Sequence, residues 1–267
     1  MFDFTLALLL FTVSIPGIVI VVPRSLKQLS GTIESKLPEG KKLPPMPVIT
    51  LIQILQSVIL VAASVALGVF FAPRVGLEAP FFTALVRGSG IVAALPNPVV
   101  VVGLSAAGSA VFLLLYYGVL RPWMGPETAD AMDGFRNQLG LLSRVLYGGV
   151  VEEVLTRWGL MSFLTWLASL VLPPVAAVWV AIVVTGIIFG LGHIPSYAGA
   201  GCDLTRPLVT TMIVLNLLAG IIFGYLFWQH GLLAAIVSHM LFHLFWFPID
   251  KARLSRQRTG SYAAELG

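Results

Sequence analysis

Seven long apolar runs, separated by short polar stretches, set the pattern of this chain. The first, from about Phe4 to Val22, is long enough to cross a hydrocarbon core of about 30 Å at about 1.5 Å per residue. It has no basic leading segment and no small-x-small cleavage pattern, so it reads as a retained helix bent at Pro16-Gly17 and not as a signal peptide. Further spans are expected at about Val48–Ala72, Val99–Leu120, Val175–Ile194, Leu208–Trp228 and Leu232–Phe247. The fourth run, Leu141–Leu172, would reach roughly 48 Å, too long for one upright span. Either its start projects from the membrane or it breaks near Arg157-Trp158-Gly159. Pro173-Pro174 then forces a turn. Between the spans, Arg24–Pro47 reads as a polar basic linker, Glu127–Gln138 as a short amphipathic helix on the membrane surface, and Pro195–Pro207 as a loop.

Composition agrees with the pattern. Of 267 residues 58% are hydrophobic and only 10% charged, with a mean hydropathy of +0.95, which excludes an ordinary soluble domain. The fold class expected is all-α, a polytopic membrane bundle of about seven helices, six to eight depending on how the fourth run divides. A single cysteine, Cys202, excludes an internal disulfide and reads as a small apolar filler. The net charge of +4 points to topology and not to nucleic acid, because the basic residues fall between apolar runs. With the N-terminus outside, thirteen Lys and Arg fall on the inner side, against Arg74 and Arg87 outside. That places the C-terminal Lys251, Arg253, Arg256 and Arg258 in the cytoplasm, and a prokaryotic plasma membrane is the location expected. The chain divides into N-terminal helices and linker (1–140), a helical core (141–250) and a basic tail (251–267).

The fourth run holds Glu152, Glu153 and Arg157. In a membrane each ionisable group costs roughly 2.5–3.5 kcal/mol on insertion scales, so three within six residues call for a function. Residues four apart share a helix face, which pairs Glu153 with Arg157; the i+4 neighbour of Glu152 is the uncharged Thr156. Glu152 is thus left as a carboxylate in an apolar setting, suited to general-base work. His193 lies at the inner end of the fifth span, and His239 and His243 share one face of the seventh. Their depths allow a single cavity open to the cytoplasm. A polar clamp between helices is the alternative for the charged trio. Asn216 is expected to be an interhelical hydrogen bonder, and the tryptophans interface anchors or packing. Phe189 is placed beside His193, and Gly148, Gly149, Gly190 and Gly192 allow close helix approach.

Glu152-Glu153-x-x-x-Arg157, Phe189-x-x-x-His193 and His239-x-x-x-His243 resemble the three motifs of the CAAX protease and bacteriocin-processing family, intramembrane glutamate proteases. The resemblance covers Leu141 to Phe247. It implies that Glu152 with His193 activates a water, that His239 and His243 stabilise the oxyanion, and that Glu153 and Arg157 hold the site in shape. It implies no cofactor, and as partners a membrane-associated protein or peptide substrate and the lipid bilayer. One position departs from the family, which usually carries asparagine where this chain has His243. That departure keeps open a zinc-dependent protease, with Glu152, His193, His239 and His243 as ligands. A different class, a proton-coupled transporter or a non-catalytic scaffold, is also open, although no paired repeats support transport.

Overall fold

A computed structural model describes residues 2–35 and 43–265, and among these residues the fold is helical with no strand. Six helical segments are long and apolar enough to cross a membrane: Phe4–Gln28, Met46–Arg74, Pro98–Met124, Pro174–Gly199, Arg206–His230 and Leu232–Arg253. They belong to α1 (Phe4–Ser35), α2 (Met46–Phe71), α4 (Pro98–Leu115), α8 (Pro174–Gly199), α9 (Arg206–His230) and α10 (Leu232–Glu265). Short helices α3 (Pro80–Arg87), α5 (Arg121–Met124), α6 (Pro126–Ser143) and α7 (Ser162–Ser169) connect them. The chain is therefore an integral membrane protein built as an all-α bundle.

The fourth apolar run is the exception among the expected spans. It is helical from Leu141 to Ser169, but its ionisable residues keep it out of the six self-sufficient spans. The expected break at Arg157-Trp158-Gly159 does not occur. The chain kinks earlier, at Gly140 (φ 70°, ψ 166°), a left-handed φ that glycine adopts without a Cβ clash. Two stretches, Arg144–Glu152 and Val154–Met161, then wind with i→i+5 hydrogen bonds. This wider winding puts more residues into each turn, so the run is shorter than an α-helix of the same length.

Packing sets this run in the middle of the molecule. Arg144–Glu152 lies between α1 and α10, and Val154–Met161 packs against α2 and α8. Gly159 allows the closest approach: a Cβ there would stand 2.7 Å from the Ser64 Cα. Trp158 fills the space beside Gly68, so it serves as packing and not as an interface anchor. On the other side α8 pairs with α9, and Gly186 and Gly190 face the backbone of α9. Gly192, by contrast, faces open space and brings no helix closer. Cys202 is buried as a filler.

Three connecting segments differ from expectation. Residues 24–35 do not form a linker but continue α1 past Pro23, with Arg24 and Lys27 on it; Lys36, Lys41 and Lys42 lie outside the described residues. The loop expected to start at Pro195 begins only after Gly199, because α8 runs through the proline and forgoes one backbone hydrogen bond. Finally, α6 keeps only part of its charge in water: Glu127 and Asp130 are exposed, whereas Asp133 and Arg136 are buried, held by ion pairs from other helices. The turn Gln229-His230-Gly231 is as tight as its length requires. Gly231 ends α9 at φ 82° and α10 starts at Leu232.

Candidate active site

The wide-wound helix presents two adjacent glutamates to different surroundings. Glu153 is fully buried, its Oε1 2.7 Å from His239 Nδ1 and its Oε2 3.3 Å from Arg157 Nε. The ion pair with Arg157 follows from the i,i+4 spacing; the bond to His239 joins this helix to α10. Arg157 Nη1 donates to Thr156 Oγ1 at 2.6 Å, and that hydroxyl donates to the Glu152 carbonyl at 2.5 Å. Rings of Phe189 and Phe223 flank the guanidinium at 5.5 and 5.4 Å. Glu152 turns the other way, with about a fifth of its side chain exposed. Its Oε1 is 4.0 Å from His193 Nε2, and its Oε2 is 3.9 Å from His239 Nε2.

Backbone and side-chain acceptors orient these imidazoles. His193 Nδ1 lies 2.8 Å from the Phe189 carbonyl, which can only accept, so Nδ1 carries the proton and Nε2 points at Glu152. His239 is fixed in the same manner by Glu153 and stacks on Phe223 at 4.6 Å between ring centroids. His243 follows one turn later, 4.9 Å from His239 ring to ring. Its Nδ1 is buried and has no hydrogen-bond partner among the described residues. Room for both rings comes from Gly148, where a Cβ would stand 2.9 Å from His243 Nε2 and 3.3 Å from His239 Nε2.

These groups meet on one cavity of about 370 Å³. Glu152, His193, His239 and His243 line it, whereas Glu153 and Arg157 lie behind its wall. Asn216 also lines it, its Nδ2 donating to the Met212 carbonyl at 2.7 Å, within its own helix and not across to another. Among the described residues no three His, Cys, Asp or Glu side chains are arranged to hold a metal ion.

Sequence reasoning did not single out a second polar cluster at the same cavity. Arg136 and Arg144 line it, and Asp133, Asp250, Tyr116 and Tyr117 stand behind them. Arg136 and Arg144 had read only as topology signals. The available clue was Asp250, a carboxylate within a turn of the last apolar run.

Fold and site together define a polytopic membrane protein with a glutamate-histidine centre inside its bundle. Residues 136–245 match the family model described as type II CAAX prenyl endopeptidase Rce1-like, which supports the resemblance to the CAAX protease family. The match spans all seven named residues of the three motifs. No curated protein and no solved structure matches the chain.

Proposed function

We propose that the chain is an intramembrane endopeptidase in which Glu152 and His193 activate a water against a peptide bond. One observation carries the reading: Glu152 and His193 face each other across 4.0 Å on the cavity wall, with His239 Nε2 3.9 Å from the other carboxylate oxygen. A carboxylate and the bare Nε2 of a neutral imidazole are both acceptors, so neither satisfies the other. A water donating one O–H to each fits that gap. Its oxygen attacks the scissile carbonyl carbon while a proton passes to Glu152. His239, whose Nδ1–H is held by Glu153, stabilises the oxyanion once a second proton stands on its Nε2, and the Nε2–H of His243 adds a second donor. Collapse breaks the C–N bond, and the proton held by Glu152 passes to the leaving nitrogen. The products are a carboxylate and an amine.

Arg157 pairs with Glu153 and keeps it turned toward His239, so its role is to position. No step needs a metal. The substrate is a membrane-associated protein or peptide, reached from the bilayer or its cytoplasmic edge. Glu152→Gln removes the base and is expected to lower cleavage about 10²–10⁴-fold while the protein remains folded in membranes. The assay compares membrane proteomes of cells carrying either form and looks for precursors that accumulate uncut. A fully active Glu152→Gln protein would falsify the reading. The purified, metal-depleted enzyme is expected to retain full activity after exhaustive chelation, with metal content measured in parallel; lost activity restored by zinc would reinstate the metal-dependent mechanism.

A further inference from the structure

The face that α9 turns to the cavity is made of Met212, Leu215, Asn216, Ala219 and Phe223, spaced as residues on one side of a helix. All but Asn216 are apolar, and no step of the chemistry above uses it. Asn216 nevertheless stands close to the reacting groups. Phe223, about two turns further along the same face, stacks on His239 at 4.6 Å between ring centroids. Across the contact with α8, a Cβ on Gly190 would stand 3.4 Å from the Asn216 Cβ. Gly190 directly follows Phe189, whose carbonyl holds His193 Nδ1.

Within its own helix this amide is only half spent. The Met212 carbonyl can only accept, so the NH2 end of Asn216 faces it, at 2.7 Å. One N–H is taken there. Asn216 Oδ1 has no hydrogen-bond partner among the described residues, and the side chain is half-buried at the cavity. An unmatched amide is costly away from water, and an asparagine in a membrane ordinarily bonds to another helix. Asn216 does not. Its remaining N–H and Oδ1, held on one planar group, are left for something that enters the cavity. A hydroxyl on the same wall such as Ser57, which donates to the Gln53 carbonyl at 2.8 Å, offers no such fixed pair.

We propose that Asn216 holds the main chain of the peptide substrate, donating to the carbonyl and accepting from the N–H of one residue in extended conformation. In an extended chain those two groups of a residue point to the same side, and a primary amide presents the matching donor and acceptor. The inference rests on the endopeptidase reading and gives that site a substrate-binding residue indifferent to side chains. Asn216 lies about 10 Å along α9 from Phe223, and an extended peptide covers about 3.3–3.6 Å per residue. The residue held is therefore within about three of the scissile bond.

The test uses the full-length protein in lipid nanodiscs. A degenerate peptide library read by mass spectrometry supplies the probe, the sequence with the strongest cut that is absent with Glu152→Gln. That peptide is remade with each nearby N–H, except the scissile one, replaced in turn by an ester oxygen. Each exchange removes one donor and leaves the preceding carbonyl a poorer acceptor. Two neighbouring replacements are expected to lower kcat/KM, the first, which takes the donor from Oδ1, by about 10- to 100-fold and the second by less. Asn216→Ala is expected to cost the unmodified peptide about as much, mostly through KM, and to shrink the effect of both replacements to about 2-fold or less. Asn216→Leu, which fills a similar volume, is expected to behave in the same way. Replacements that cost as much in these variants as in the wild type, or no sensitive pair of neighbours, overturn the proposal and leave the endopeptidase reading standing. So does a loss in Asn216→Ala that falls on kcat alone, which assigns the amide to the reaction itself. If neither variant folds, the wild-type scan decides: the neighbouring pair supports the proposal and its absence overturns it. No Glu152-dependent cut in the library overturns the endopeptidase reading, and this inference with it.

Discussion

At the scale of single residues, the two neighbouring glutamates of the site have different surroundings. Glu153 is enclosed by Arg157 and His239, and Glu152 is left to the cavity. Half of this was legible: the Glu153–Arg157 pair is local, and i,i+4 spacing predicts it. The bond from Glu153 to His239 joins residues 86 apart, and no periodicity announces it. Glu153→Gln is therefore expected to do two things. It leaves Arg157 as a buried charge, costing about 3–5 kcal/mol in denaturant unfolding in micelles. It also frees the His239 ring from the orientation that turns Nε2 to the cavity, lowering kcat on the order of 10⁴-fold, the scale known when a buried carboxylate stops orienting a histidine. Unchanged kcat in a folded Glu153→Gln protein would remove its positioning role. Gly148→Ala places a methyl against both His239 and His243, and a loss of activity larger than the loss of stability is expected.

At the scale of elements, the apolar runs located the spans because a membrane helix must be apolar along its whole length. What they could not show is how the fourth run is wound, since i→i+5 bonding leaves no mark in hydropathy. Nor could they show that α8 passes Pro195, which carries Ser196 and Tyr197 to the cavity wall on the same helix as His193. Placement of that helix depends on small residues. At Gly190 a Cβ would stand 2.9 Å from the Ile213 Cα and 3.1 Å from the Met212 carbonyl oxygen, and backbone does not yield as a side chain does. Gly190→Ala is expected to push α8 off α9 at a cost of about 1–3 kcal/mol. Because His193 sits one turn further on, activity should fall about 10²-fold for each 1 Å of displacement. Thermal unfolding and kcat measured on the same preparation separate the two effects.

At the scale of the whole molecule, we propose from the excess of basic residues on one side that the C-terminus lies in the cytoplasm. Reporters active only inside or only outside, fused after Gly267, are expected to give signal inside alone; the opposite result reverses every span. The same basic residues also hid the polar cluster around Arg136 and Arg144, because a topology count records only the side on which a residue falls. The helix that bears Glu152 and Glu153 has a further bearing on how the protein is made. Six helices can leave the translocon for lipid on their own apolarity, but the run with Arg144, Glu152, Glu153 and Arg157 cannot. Glu153 and Arg144 take partners on α10, His239 and Asp250, which follow 86 and 106 residues later in the chain. The nascent chain must therefore hold this segment near the translocon or at the interface until its C-terminal helix arrives. A ribosome that stops early leaves no assembled hydrolytic centre in the bilayer.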